Sequence, residues 1–129
     1  MRTACVFYTV CMLLTAAIPM KTSNNRAPFW AAMEPSLQNL LHIPMFAGFV
    51  LLFDRSLGAP LAYRTTGLGF VLAGALTLGI IMEGVQVIVP GRYFGWGDMA
   101  LNLLGAAAGV LLVLRLRRRR ARPGRSADV

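Results

Sequence analysis

Glu83 and Gln86 stand three residues apart, Pro90, Gly91 and Arg92 follow, and Asp98 and Asn102 stand four apart just beyond. All lie within or beside apolar stretches long enough to cross a bilayer. Spacings of three and four put Glu83 with Gln86, and Asp98 with Asn102, on shared helix faces. A charged side chain at bilayer depth is costly and is carried there with a partner or for a task. His42, early in a separate apolar segment, brings an imidazole, with Asn39 a turn nearer the surface. Carboxylate, amide, imidazole and guanidinium together could bind a polar headgroup or pass a proton.

Depth arithmetic brings these groups to one level. Glu83 precedes Pro90 by seven residues, about 10 Å along a helix rising 1.5 Å per residue. Asp98 starts the next helix and Asn102 lies a turn deeper, at the depth expected for His42 and Gln86. Such groups should turn toward one another in lipid, since outward-facing copies would be unpaired. One outcome is an interhelical hydrogen-bond cluster that only glues helices. The other is a working site. Two carboxylates are more than glue requires, which favours the site for Glu83, Asp98, Arg92 and His42. Arg92 at the rim could neutralise either carboxylate or hold an anionic headgroup.

No metal motif is present, although His42, Glu83 and Asp98 could ligate an ion if they converge. No nucleophile elbow, phosphate loop or dinucleotide fingerprint occurs, so no cofactor is named. Acid–base hydrolysis by His42 and a carboxylate stays open beside simple binding.

The elements that must position these residues are apolar helices. Of the 129 residues 57% are hydrophobic and 14% charged, with a mean hydropathy of +0.61. Soluble domains carry about 25% charged residues, so the balance is that of a membrane protein. Four apolar segments stand out, at residues 4–20, 37–53, 66–89 and 99–114. An all-α bundle of four transmembrane helices follows, because helices satisfy their own backbone in lipid. The first segment also resembles a signal peptide, with Arg2, an apolar run and Ala16-Ala17. It lacks a clear cleavage site, and Lys21 follows it, which favours a retained helix.

Net charge is +8, and residues 115–129 supply +6 of it through seven arginines against Asp128. A basic tail of this kind anchors the C-terminus in the cytoplasm and touches anionic lipid through Arg117, Arg118, Arg119 and Arg120. It argues against nucleic acid as a partner. Four spans then place both termini inside. Arg2, Arg55, Arg64 and the tail are inside; Lys21, Arg26 and Arg92 are outside. Phe29 and Trp30 in the loop over residues 22–35 read as an interface belt, as do Tyr93, Phe94 and Trp96.

Cys5 and Cys11 lie on different faces of one helix, which argues against a disulfide. Gly105 and Gly109 form a small-xxx-small pair that permits close helix approach. Packing inside the monomer is the simpler use; a homo-oligomer face is the alternative.

The pattern Glu83-x-x-Gln86, Pro90-Gly91-Arg92, Asp98-x-x-x-Asn102-x-x-Gly105-x-x-x-Gly109 resembles the VanZ-like family of small bacterial membrane proteins. The resemblance covers residues 38–114, within a four-helix domain at 1–114 followed by the cytoplasmic arginine-rich tail at 115–129. Family members usually carry Asp-Lys-x-x-His at the start of the matching second helix. Here His42 is kept, and Gln38 and Asn39 replace the charged pair. The resemblance implies a multi-pass protein of the bacterial inner membrane that binds or acts on an envelope lipid or precursor. It also implies a link to tolerance of the glycopeptide teicoplanin. A small proton-coupled exporter using Glu83, and a membrane scaffold without chemistry of its own, are the competing expectations.

Overall fold

The computed structural model describes residues 1–18, 35–58, 65–90, 92 and 94–120, without the side chains of 35, 36, 38, 65, 66 and 120. The expected loop over residues 22–35, apart from Pro35, therefore lies outside the described residues. So do Lys21, Arg26, Arg64, Gly91, Tyr93, the side chain of Gln38 and the tail beyond Arg120.

Among the described residues the chain is entirely helical: α1 (Arg2–Ala16), α2 (Pro35–Leu40), α3 (His42–Ser56), α4 (Thr65–Ile88) and α5 (Trp96–Arg120). Proline sets several boundaries. Pro19 disfavours helical backbone at the residue before it, and α1 ends at Ala16. Pro44 has no N–H for the carbonyl of Leu40, so the second apolar segment breaks at Leu41 and restarts with His42. Pro90 stops α4 in the same way. At the far end α5 does not stop at Leu114, because arginine is a good helix former. Residues 115–120 continue the helix that the last apolar segment begins.

Two helical stretches are long and apolar enough to cross a membrane, Gly67–Ile88 and Trp96–Arg119, each holding an 18-residue window of mean hydropathy 2.0. α1 is apolar but shorter. The outer surfaces of all three are apolar, with Phe7, Leu14, Phe70, Ile80, Ile88, Leu104 and Leu111 exposed. Apolar surface this continuous on a monomer marks contact with a membrane or a partner.

Contacts between the helices fix their directions. His42 meets Asn102, Ile43 meets Gly105, Val50 meets Gly109 and Asp54 meets Arg117, so α3 and α5 run parallel. Glu83 meets Gly95 and Gly79 meets Asn102, so α4 runs against α5. Arg2 meets Ser56 and Tyr8 meets Met45, so α1 runs against α3. The α3–α5 seam is the most extensive. A Cβ on Gly105 would lie 2.5 Å from the Ile43 carbonyl oxygen, and one on Gly109 2.7 Å from Val50 Cβ. Only glycine permits that approach at these two positions. The core beside the seam holds Phe46, Phe49, Val50, Val71, Ala75, Leu78, Met82, Ala106 and Val113, with Cys5 and Met12 from α1. Both cysteines are free thiols.

The bundle consequently has two unlike ends. Arg2, Arg55 and the arginines of α5 share one end. His42, Glu83, Arg92 and Asp98 share the other.

Candidate functional site

Pro44 breaks the helix just before His42, which sets that residue at the start of α3 beside α5. Its Nδ1 lies 2.7 Å from Asn102 Oδ1. An amide oxygen can only accept, so Nδ1 donates in this contact. Asn102 is buried at 2% exposure, and its Nδ2 has no hydrogen-bond partner. The side chain stands where α4 is narrowest, 3.6 Å from the point a Cβ on Gly79 would occupy.

One turn along α4 from Gly79 is Glu83, 1% exposed and among the most completely buried side chains. Its Oε2 accepts the Gly95 N–H at 3.3 Å, and Oε1 has no partner. Gly95 also starts α5, because its carbonyl accepts the N–H groups of Asp98 and Met99, each at 3.1 Å. A single residue, Gly95, thus joins the carboxylate of α4 through its N–H to the first turn of α5 through its carbonyl. Asp98 lies in that turn, where a negative charge complements the helix dipole. Gln86 is buried at 3% exposure on the face it shares with Glu83.

Arg92 behaves differently from its carboxylate neighbours. Its Nε donates to the Ile18 carbonyl at 3.0 Å and its Nη2 to the Thr15 carbonyl at 3.2 Å. Thr15 is in the last turn of α1 and Ile18 lies two residues past its end; the Thr15 carbonyl also accepts the Ile18 N–H at 3.4 Å. Burial lowers the guanidinium pKa, while Asp98 and Glu83 raise it. Arg92 therefore contributes charge to the site but commits two of its nitrogens to holding α1.

The structure brings His42, Asn102, Glu83, Gln86 and Asp98 to one end of the bundle, with Arg92 at the rim. It leaves Asn39 exposed on α2. Phe94 and Trp96 pack edge to face with ring centres 5.0 Å apart, and Trp96 is 80% exposed. Among the described residues no group of three or more His, Cys, Asp or Glu is placed to hold a metal ion. At the opposite end Arg117 forms an ion pair with the buried Asp54, while Arg118 and Arg119 point into the surroundings. Asp54 had no place in the sequence reading, and neither had the Gly95 N–H. The available signal for Asp54 was its position as the one acid between the second apolar segment and the following basic loop.

The family model for VanZ/LLP1 matches residues 5–117. The chain belongs to the VanZ/LLP1 family. The match extends the resemblance seen over residues 38–114 to include α1 and the first arginines of α5. No curated protein and no solved structure matches the chain. The VanZ/LLP1 match and the two long apolar helices together make this a membrane protein.

Proposed function

We propose that this VanZ-family protein crosses the bacterial inner membrane four times and binds or acts on an envelope lipid or precursor at the Glu83 end. The four spans are α1, the α2–α3 unit, α4 and α5, with both termini cytoplasmic and the Glu83 end in the outer half of the bilayer. What supports the orientation is the gathering of Arg2, Arg55, Arg115, Arg118 and Arg119 at the other end, since cytoplasmic flanks carry the basic excess. Arg118 and Arg119 then lie against anionic headgroups. α1 is retained in this reading, because its carbonyls hold Arg92 and its side chains enter the core.

The observation that carries the functional reading is Glu83 itself. It is a buried carboxylate with one oxygen unpaired, in a helix long enough to span. A group placed at that cost, beside His42, Asn102 and Gln86, is better explained by a ligand than by packing. Tolerance of teicoplanin would follow from altered handling of an outer-face precursor.

The test compares a deletion strain complemented with wild type or with Glu83→Gln, at equal membrane abundance. Lipid extracts are profiled and teicoplanin susceptibility is measured. Rescue by wild type alone is expected. Equal rescue by both would leave a scaffold whose polar residues only hold helices together.

A further inference from the structure

His42 is the only histidine in the chain, and its Nδ1 faces Asn102 Oδ1 at 2.7 Å. That separation is at the short end of the range for an N–H donating to oxygen. It is tighter than expected for an amide N–H donating to a ring nitrogen, since nitrogen is the larger acceptor. The amide oxygen accepts and cannot donate. Nδ1 therefore carries a proton whether the ring is neutral or cationic. Whatever proton this imidazole gains or loses, it gains or loses at Nε2.

Burial separates the two partners. Asn102 is 2% exposed, and its Nδ2 lies 3.6 Å from the point a Cβ on Gly79 would occupy. His42 is only half-buried, at the first residue of α3. The buried amide is thus the fixed half of the pair, and the ring is the half that its surroundings can reach. A bond made only to join α3 to α5 has no need of a titratable partner. An amide on each helix would serve, and Gly105 and Gly109 already close that seam. Groups that could pass a proton on stand at the same end: Glu83 of α4, Asp98 of α5 and Arg92 between them. α2 and residues 12–18 bring no titratable side chain.

We infer that Asn102 is a positioning residue: it fixes Nδ1 of His42 as a constant donor and makes Nε2 the nitrogen through which this end takes up and releases protons. The inference rests on the reading of this end as a working site and assigns the group that handles protons there. With a ligand bearing an O–H or N–H, the step moves that proton to the Nε2 lone pair. The ligand keeps the bonding electrons, and the ring becomes an imidazolium with its Nδ1–H still on Asn102. Reversal returns the proton.

One histidine gives one unambiguous pair of ring-nitrogen signals. The full chain, isotopically labelled at both ring nitrogens and held in phosphatidylcholine nanodiscs, is measured by NMR, which separates protonated from bare nitrogens. The expected neutral ring carries its proton on Nδ1 over Nε2 by about tenfold, whereas a free histidine side chain in water prefers Nε2–H. Varying the pH should move the Nε2 signal between bare and protonated positions and leave Nδ1 protonated throughout. Asn102→Leu should abolish the bias toward Nδ1–H, and Asn102→Asp, which keeps an acceptor oxygen, should retain it. The wild-type spectra carry the test even where a variant fails to fold. A neutral ring found mainly as Nε2–H would mean that the amide is turned over, with Nδ2 donating to Nδ1, and would overturn the assignment. So would a ring that never titrates while the protein stays folded, or a bias unchanged in folded Asn102→Leu. No ligand enters these measurements, so they fail or succeed apart from the lipid reading, which the Glu83→Gln complementation tests.

Discussion

Among the described residues two carboxylates are buried, one at each end of the bundle, and they are treated in opposite ways. Asp54 on α3 is paired with Arg117 of α5, with side chains 11% and 18% exposed. Glu83 on α4 is buried more deeply and has only a peptide N–H on one oxygen. The first arrangement is electrically closed and ties two parallel helices together where α5 leaves the apolar region. The second is open and sits where three helices converge. Burial alone therefore says little about what an acid is for; whether its valences are filled separates a clasp from a site.

Both ends depend on the seam between α3 and α5, so the largest effect should come from forcing that seam apart. Gly105→Leu would place a side chain against the Ile43 backbone at 2.5 Å and against Phe46 at 2.9 Å. Overpacking of this kind costs about 1–3 kcal/mol where side chains can shift, and more against backbone. The expected outcome is loss of folded protein, read as aggregation on size-exclusion chromatography, with both ends lost together. A folded variant in which one end survives would break the idea that they share a frame.

The two acids should then part company in stability. Asp54→Leu strands Arg117 and should destabilise the bundle by roughly 3 kcal/mol, the lower range for breaking a buried pair. The double change Asp54→Leu with Arg117→Leu should recover most of that loss, because neither charge is left alone. Thermal unfolding in one detergent provides the comparison. Equal losses in the single and double variants would mean that Asp54 matters for packing and not for its charge.

Glu83→Met should have the smallest effect of the three. It costs the Gly95 N–H its acceptor, worth about 1 kcal/mol, and removes a buried oxygen whose desolvation is uncompensated, worth about the same or more. Stability should therefore change by under about 1 kcal/mol. A loss as large as that of Asp54→Leu would make Glu83 a structural clasp too and would erase the contrast.

The sequence made the shared level of the polar groups along the helices legible and left their rotation hidden. Hydropathy located the apolar segments within a few residues, and prolines marked where two of them end. The spacing of Glu83 with Gln86 and of Asp98 with Asn102 predicted shared faces, but not which neighbour each face meets. That depends on α3 running parallel beside α5, which no local pattern states. Arg117 illustrates the limit. Read from the run of arginines it belongs with lipid headgroups, yet one helical rotation brings it to Asp54 while Arg118 and Arg119 stay exposed. Arg92 shows the same limit from the other side. Its charge suggested a ligand or a carboxylate, and the carbonyls that hold it lie 74 and 77 residues earlier.

That long separation has a consequence for how the chain is made. α1 is made before the helices it packs on, and the Thr15 and Ile18 carbonyls at its end each receive one Arg92 nitrogen in the folded chain. The guanidinium that answers them is synthesised only after α3 and α4. The helix made earliest is thus latched at its end among the latest, while its contacts with α3 through Tyr8 and Arg2 can form sooner.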